Sequence, residues 1–194
     1  TVFDVALSEA QKGALIVAGF DGSDVDDHTA LILCDVTTGF TWAAGIWNPA
    51  EHGGKVPHDQ VNGALDDAAT TYKLLRLNAD PPYWKDEIAD WEGRYGSEVV
   101  HEWPTYRNRV MGFAVRDFAT AISSGQLTHD GDLTFAKHIA NAHRKELNER
   151  DDKGVRLWTL QKERAGGPDK IDAAVAAVLA WEARLEVIAE GALN

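Results

Sequence analysis

Three aspartates stand where predicted secondary-structure elements end or begin. Asp21 ends the apolar run Gly13–Asp21, Asp80 ends a later run, and Asp172 lies near the start of the C-terminal helical segment. Residues just past the ends of neighbouring strands share one crevice in an open sheet, so these carboxylates can converge there. Such a cluster is costly unless cations neutralise it, and carboxylate oxygens suit Mg²⁺ or Mn²⁺. The pattern predicts a site for two such ions, which can clamp a phosphoryl displacement.

Each of these aspartates also has a purely structural interpretation. Asp21 precedes a Gly-Ser pair and could begin a turn, whereas Asp80 precedes Pro81 and could cap a helix. Asp172 could instead favour the dipole of its own helix. For each residue taken singly the structural interpretation is favoured, but three aspartates in this arrangement favour a metal site.

Asp27 is a further candidate for the same site. It follows Asp21 by a short polar segment and precedes the next apolar run, so a hairpin would return it to the end of the first strand. The other two aspartates of that segment, Asp24 and Asp26, are expected to face water at the hairpin tip. Asp27 is therefore predicted to support the site as an accessory acidic group.

The composition limits the classes of function. The 194 residues are 44% hydrophobic, which predicts a globular domain, and no apolar run approaches the roughly 18 residues of a membrane span. The single cysteine, Cys34, suits a reducing compartment and is expected to be a small buried side chain. The formal net charge of -12 argues against nucleic-acid binding unless metal ions occupy the carboxylates or basic residues gather on one face.

The elements that would position these residues follow a definite order. Three strands with short links predict an antiparallel meander, after which strands alternate with helices. The prediction is an α/β fold with an RNase H-like mixed sheet and helices on both faces. The predicted strands are 13–21, 28–36, 39–47, 73–80 and 97–103, with 155–162 as a possible strand, and the predicted helices are 58–72, 83–96, 106–125, 133–147 and 169–191.

Four blocks of sequence extend this pattern over most of the chain. They are GFDGSDVDDHTALILCD (Gly19–Asp35), LNADPPYWKDEIADWEGRYG (Leu77–Gly96), LTHDGDLTFAKHIANA (Leu127–Ala142) and DKIDAAVAAVLAWEAR (Asp169–Arg184). In content and order they resemble the C-terminal nuclease domain of tailed-phage terminase large subunits. The resemblance implies one RNase H-like nuclease domain over 1–194, preceded in the full protein by a packaging ATPase domain. It also implies a metal-dependent endonuclease that cuts concatemeric double-stranded DNA in the host cytoplasm.

The resemblance also implies roles for individual residues. By position, Asp21, Asp80 and Asp172 match the catalytic metal ligands, which would hold two Mg²⁺ or Mn²⁺ ions. Asp169 stands three residues before Asp172 and could be the helix ligand instead, or share the site. Asp27 matches an accessory acidic position. The implied partners are double-stranded DNA, the ATPase domain, the portal and the small terminase, with no membrane.

Basic residues for a DNA path are few. Two arginines follow the EWPTY segment at a predicted helix start, where the helix dipole and a phosphate would cooperate. His129, on a predicted loop, could approach the scissile phosphate, whereas His138, on an apolar-rich helix, is expected to be packed. For each basic residue taken singly, a solvated surface position is the favoured interpretation. The candidates are Arg107, Arg109, Lys137, Arg144, Lys145 and His129.

Two other classes of function compete with the nuclease. The DGS sequence after an apolar strand also resembles the phosphate-binding hairpin of sugar kinases and actin-like ATPases, but a second such hairpin is not evident in the sequence. A non-catalytic domain could alternatively use its acidic face to dock a portal or procapsid protein. A nucleotide-dependent thermal shift would favour the first alternative, and metal-dependent DNA cleavage would disfavour both.

Overall fold

The computed structural model describes residues 12–164 and 167–194 of the chain. Eight strands and five α-helices are found in these ranges, with a 3₁₀ turn after the third strand. They are β1 (Leu15–Asp21), β2 (Thr29–Asp35), β3 (Phe40–Trp47), the 3₁₀ turn Pro49–His52, α1 (His58–Thr71), β4 (Lys73–Ala79), α2 (Lys85–Tyr95), β5 (Val100–Glu102), α3 (Asn108–Ser123), β6 (Thr128–His129), α4 (Leu133–Ala140), β7 (His143–Arg150), β8 (Arg156–Gln161) and α5 (Asp172–Ala189).

Six of the strands form one mixed sheet in the order β5-β4-β1-β2-β3-β6. β1, β2 and β3 pair antiparallel, whereas β4 pairs parallel with β1, and β5 parallel with β4. The predicted meander followed by parallel strands is therefore confirmed. β1 lies inside the sheet and is buried on both faces, which explains its continuous apolar sequence.

Helices cover both faces of the sheet, as predicted. α3, α4 and α5 pack on one face around Val17, and α1 and α2 pack on the other around Phe20. Phe20 makes edge-to-face contacts with Trp84 and Trp91, at ring-centroid distances of 4.9 and 5.1 Å. Alternate residues of β1 thus serve two separate apolar cores.

Close packing of α5 on the sheet depends on one glycine of β1. A Cβ atom at Gly19 would overlap the backbone carbonyl oxygen of Ala176, so any larger residue would push the helix away. α5 is apolar nearly all round because it lies across the central strands under α3 and α4. This contact sets the distance between the sheet and α5, the helix that begins with Asp172.

The predicted helix over 133–147 is wrong in its second half. α4 ends at Ala140, and the following residues form β7, which pairs antiparallel with β8 in a separate hairpin. Helix-forming residues such as the Lys-Glu-Leu of β7 are overruled by tertiary packing, because Leu147 and Leu157 lie over Gly112 of α3. The possible strand over 155–162 is confirmed as β8.

Cys34 of β2 is fully buried in the core that α3, α4 and α5 cover. Burial raises the pKa of its thiol to about 12, as expected for a structural cysteine. Within the part of the chain that the structure describes, no helix is long and apolar enough to cross a membrane.

Candidate metal centre

Asp21 and Asp80 lie side by side because their strands are parallel neighbours. Phe20 of β1 is in register with Ala79 of β4, and the Asp80 N–H donates to the Phe20 carbonyl at 3.0 Å. Burial raises the pKa of Asp21 well above its usual range, and the charges of Asp172 and then Asp80 raise it further. The structure therefore places Asp172 and Asp80 each within electrostatic reach of Asp21.

Asp172 is the first residue of α5, and only 7% of it is exposed. Its Oδ2 atom has no hydrogen-bond partner among the described residues. Burial, followed by the negative charge of Asp27, raises the pKa of Asp172 to about 6. A buried carboxylate oxygen without a partner is costly, and a cation would relieve that cost.

Asp80 is held in a fixed orientation by Thr105. The Thr105 N–H donates to Oδ1 and its hydroxyl donates to Oδ2, each at 3.0 Å. Burial raises the pKa of Asp80, although both hydrogen bonds act to lower it. Because a carboxylate oxygen has two lone pairs, each oxygen keeps one free for a further ligand.

Asp27 lies between two lysines at the edge of the carboxylate cluster. Lys170 Nζ is 2.8 Å from Oδ1, and Lys162 pairs with the same oxygen. Burial acts to raise the pKa of Asp27, but the hydrogen bonds from the two lysines lower it overall. Asp24 and Asp26 are exposed on the β1–β2 connection, as expected. Asp27 thus balances two cations beside the site.

Asp169 lies before the start of α5 and is half-buried. The largest charge effect on Asp21 comes from Asp172, which identifies Asp172 as the nearest helix carboxylate in electrostatic terms. Asp172, at the head of α5, therefore interacts with Asp21, and the choice between Asp169 and Asp172 as helix ligand stays a prediction.

The donor set fits a hard divalent cation. Within residues 12–164 and 167–194, no three His, Cys, Asp or Glu side chains are arranged to hold a metal ion by themselves. Mg²⁺ commonly keeps several waters and binds through one or two carboxylates together with substrate phosphates, so a closed protein cage is not required. The mutual repulsion at Asp21 and the unpartnered oxygen of Asp172 both favour a cation at this edge of the sheet.

The two arginines after EWPTY differ in their surroundings. Arg107 is exposed at the residue before α3. Arg109 instead donates to the carbonyl of Arg150 and forms an ion pair with Asp152 at 2.9 Å. Arg109 therefore joins α3 to the β7–β8 turn, a role that the sequence did not suggest.

The other candidates for DNA contact also divide into exposed and engaged side chains. Lys137 on α4 and Lys145 on β7 are exposed. Arg144 pairs with Glu146 at 2.8 Å, and its guanidinium lies 4.9 Å from the ring centre of Trp158. Three of the predicted basic positions thus remain open to a ligand, and the two engaged arginines stabilise the hairpin.

The prediction that His129 lies on a loop is wrong. His129 belongs to β6, only 2% of it is exposed, and its Nδ1 accepts the Gly131 N–H at 3.1 Å. Pairing of β6 with β3 at the sheet edge buries this ring. His138 is 2% exposed and packed within the core, as expected.

The groups that hold the carboxylates were not indicated by the sequence pattern. Thr105, Lys162 and Lys170 contact the acidic side chains directly. Lys170 lies within the DKID segment and could have been noticed for its position between two aspartates. Thr105 and Lys162 carry no local signal, because their contacts form only when distant segments fold together.

The chain has similarity to phage proteins along nearly its whole length. It is 30% identical over 187 residues to the Gene 13 protein of Mycobacterium phage L5 and 30% identical over 191 residues to that of phage D29. These alignments cover 92% and 94% of this chain but 30% and 31% of those proteins, so the chain spans less than a third of their length. No protein-family model matches the chain.

Solved structures with a similar fold include nuclease domains of phage large terminases and whole large terminases. The nuclease of thermophilic phage G20c superimposes with a TM-score of 0.63 at 18% identity, over 93% of each chain, and has also been solved with bound magnesium, cobalt and zinc. The HK97 large terminase gives 0.66 at 18% identity, over 92% of this chain and 40% of that one. The large terminase of another thermophilic bacteriophage, solved in complex with ADP, gives 0.59 at 11% identity. The predicted RNase H-like fold, with its resemblance to terminase nuclease domains, is confirmed.

Proposed function

We propose that this chain is the divalent-metal-dependent endonuclease domain of a phage large terminase and that it cuts double-stranded DNA. The observation that supports the proposal is that Asp21 and Asp80 follow neighbouring parallel strands, with the charges of both Asp80 and Asp172 acting on Asp21. The fold alone is compatible with many functions, so the argument depends on the site. The carboxylate oxygens, the repulsion at Asp21 and the unpartnered Oδ2 of Asp172 support the assignment as a metal-dependent phosphodiesterase.

The three carboxylates would divide the work of holding two Mg²⁺ or Mn²⁺ ions. Asp21 would contribute its carboxylate, on which the charges of the other two act, while Asp172 would offer its unpartnered Oδ2 and Asp80 an orientation fixed by Thr105. When bound, the ions would supply activation of water and stabilisation of the leaving oxygen. The protein side chains would hold these positions and need not act as nucleophiles.

Asp27 and Asp169 would assist at the periphery of the site. Asp27 is already engaged by Lys162 and Lys170, so it is better suited to balance their charge than to bind an ion. Asp169 would assist from its position in the polar segment that leads into α5. The catalytic ligand on the helix would be Asp172.

DNA would approach across the exposed basic side chains near the hairpin and the head of α3. Arg107, Lys137 and Lys145 are exposed and available to phosphates. Arg109 and Arg144 already have acidic partners and would act by keeping the hairpin in place. The net charge of -12 makes this path depend on the metal ions, which would offset the acidic site.

The rest of the protein would supply the packaging motor. The matched phage proteins are about three times as long as the aligned segment, and the HK97 large terminase contains this fold within 40% of its chain. We therefore expect residues 1–194 to be one nuclease domain joined to a packaging ATPase domain. Its partners would be the portal and the small terminase, and its location the host cytoplasm.

The burial of Asp80 and Asp172 argues against the alternative in which an acidic face only docks a partner protein. Asp80 and Asp172 are 8% and 7% exposed, so they contribute little to a surface that a partner protein could read. Their burial costs stability without a benefit to docking, whereas a metal site would use it.

Cleavage of supercoiled plasmid tests the proposal. The wild-type chain should nick and linearise plasmid with Mn²⁺ or Mg²⁺ and lose this activity in EDTA or Ca²⁺. Asp21→Asn should abolish cutting, whereas Asp24→Asn, an exposed aspartate of the same connection, should cut like wild type. Equal cutting by Asp21→Asn and wild type, in preparations free of contaminating nuclease, would refute the proposal.

A further inference from the structure

The first turn of α5 has a cap that comes from another helix. Ile171, at the N-cap position, makes no side-chain hydrogen bond to the helix. The backbone N–H of Ala173, next to Asp172, donates instead to Nδ1 of His138 at 3.0 Å. Helix starts leave such N–H groups without backbone partners, and a side-chain acceptor normally satisfies them. His138 of α4 performs this task for the helix that carries Asp172.

This hydrogen bond requires one particular tautomer of His138. An amide N–H can only donate, so Nδ1 of His138 carries no hydrogen and its neutral ring must carry one on Nε2. Nε2 lies 3.2 Å from Nδ1 of His28, which must therefore accept. Hydrogen bonds thus run in one direction, from Ala173 to His138 to His28. A second proton on His138 would face the amide, and burial, followed by the neighbouring His28 and Lys137, lowers the pKa of His138 to about 4.

His28 connects this chain of hydrogen bonds to the segment that carries Asp27. It follows Asp27 directly and immediately precedes β2, and it is half-exposed. By accepting from Nε2, it removes the alternative tautomer in which Nδ1 of His138 would carry the hydrogen and repel the Ala173 amide. The two histidines therefore link the β1–β2 connection to the head of α5.

We infer that His138 is a positioning residue for Asp172 and that His28 fixes the tautomer that His138 needs for this purpose. The catalytic consequence depends on the proposed nuclease function, whereas the effect on metal affinity does not depend on DNA cleavage. Groups that orient metal ligands through hydrogen bonds typically change metal affinity or activity by about 10- to 100-fold when they are removed.

Four variants separate positioning from general destabilisation. His28→Ala removes the tautomer-fixing acceptor from a half-exposed position, and His138→Leu removes the cap. His138→Gln keeps one acceptor and one donor and should restore much of the function. His52→Ala, an exposed histidine of the 3₁₀ turn, is the matched control and should behave like wild type.

The first measurement is ¹⁵N NMR of the histidine rings together with Mn²⁺ affinity in the absence of DNA. Wild-type His138 should show hydrogen on Nε2 only, and His28→Ala should show a mixture of tautomers. Mn²⁺ affinity should fall about tenfold in His28→Ala and His138→Leu and recover in His138→Gln. Hydrogen on Nδ1 of wild-type His138, or unchanged Mn²⁺ affinity in folded His28→Ala, would overturn the inference. If His138→Leu fails to fold, His28→Ala decides.

Plasmid cleavage then distinguishes the positioning role of His138 from the nuclease function. Weaker Mn²⁺ binding in the variants with no cleavage even by wild type would preserve the positioning role and refute the nuclease function. Cleavage by wild type with unchanged Mn²⁺ dependence in His28→Ala would preserve the nuclease and refute the positioning role. A wild-type chain that binds no Mn²⁺ at millimolar concentration would refute both.

Discussion

Thr105 donates two hydrogen bonds to Asp80, one from its backbone N–H to Oδ1 and one from its hydroxyl to Oδ2. The two residues lie 25 positions apart and meet because Thr105 follows β5, the strand beside β4. The pair fixes both oxygens of a carboxylate that we propose as a metal ligand. Thr105 has no catalytic chemistry of its own, but it sets the orientation of a side chain of the site.

Thr105→Val is expected to lower metal-dependent cleavage about tenfold, because it removes the hydroxyl donor but leaves the N–H donor in place. The concentration of Mg²⁺ needed for half-maximal cleavage should rise, and Thr105→Ser should restore it. Thr120→Val, at an exposed threonine of α3, controls for the substitution itself. Equal Mg²⁺ dependence in Thr105→Val and Thr120→Val would contradict this prediction.

Lys162→Met is expected to shift metal-dependent cleavage to higher pH. The Lys162 ammonium pairs with Asp27 and lowers the pKa of both Asp21 and Asp172, so its removal should raise both pKa values further. More of each carboxylate would then be protonated at neutral pH and unable to bind a cation. A pH–rate profile with Mn²⁺ measures the shift. Lys153→Met, at the exposed hairpin turn, should leave the profile unchanged.

Lys145→Ala is expected to weaken DNA binding and to reduce the slope of log affinity against log salt by about one. Lys145 is exposed on β7, where it pairs across the hairpin with Thr159, so its ammonium is accessible to a phosphate. Fluorescence anisotropy with a short duplex over a range of salt concentrations gives the slope. Arg94→Ala removes the same charge from α2, and an equal loss there would indicate only a general charge effect.

Gly19→Ala is expected to lower the free energy of unfolding by about 3 kcal/mol or more, because the added methyl group would overlap the backbone of α5 rather than a movable side chain. Gly63→Ala is a suitable control, since it lies in α1 with open space at its Cβ position and should stabilise the chain by about 1 kcal/mol. Urea denaturation of both variants measures the difference. Similar stabilities would show that α5 does not require the close approach.

The sheet and the positions of Asp21 and Asp80 at strand ends were predictable because their signals are local. The continuous apolar sequence of β1 indicates a strand buried on both faces, and Asp21 and Asp80 stand at strand ends that the apolar runs define. The sequence order of strands and helices then limits the topologies that can form. These parts of the structure depend on patterns that can be read within about ten residues.

The hairpin and the supporting contacts were not predictable, because they depend on long-range packing. The His143–Arg150 segment has the composition of a helix and becomes a strand only through its pairing with β8 and its contact with Gly112. The hydrogen bond between His28 and His138 joins residues 110 positions apart. The sequence therefore indicates which residues perform chemistry more readily than which residues hold them in place.

The stability of the metal-free chain is expected to fall as the pH rises from about 4 to about 6. The pKa of Asp172 is raised from 3.8 to about 6 in the folded state, so the folded chain binds more protons than the unfolded chain across this window. The stabilisation is complete below the unfolded pKa and is lost as the pH passes the folded pKa, by up to about 3 kcal/mol. Mg²⁺ should restore the melting temperature at pH 7 and have little effect at pH 4, where protons occupy the carboxylates.

Asp172→Asn should melt higher than wild type at pH 7 in EDTA and gain less from Mg²⁺. A wild-type melting temperature that is independent of both pH and Mg²⁺ would contradict the proposed metal centre.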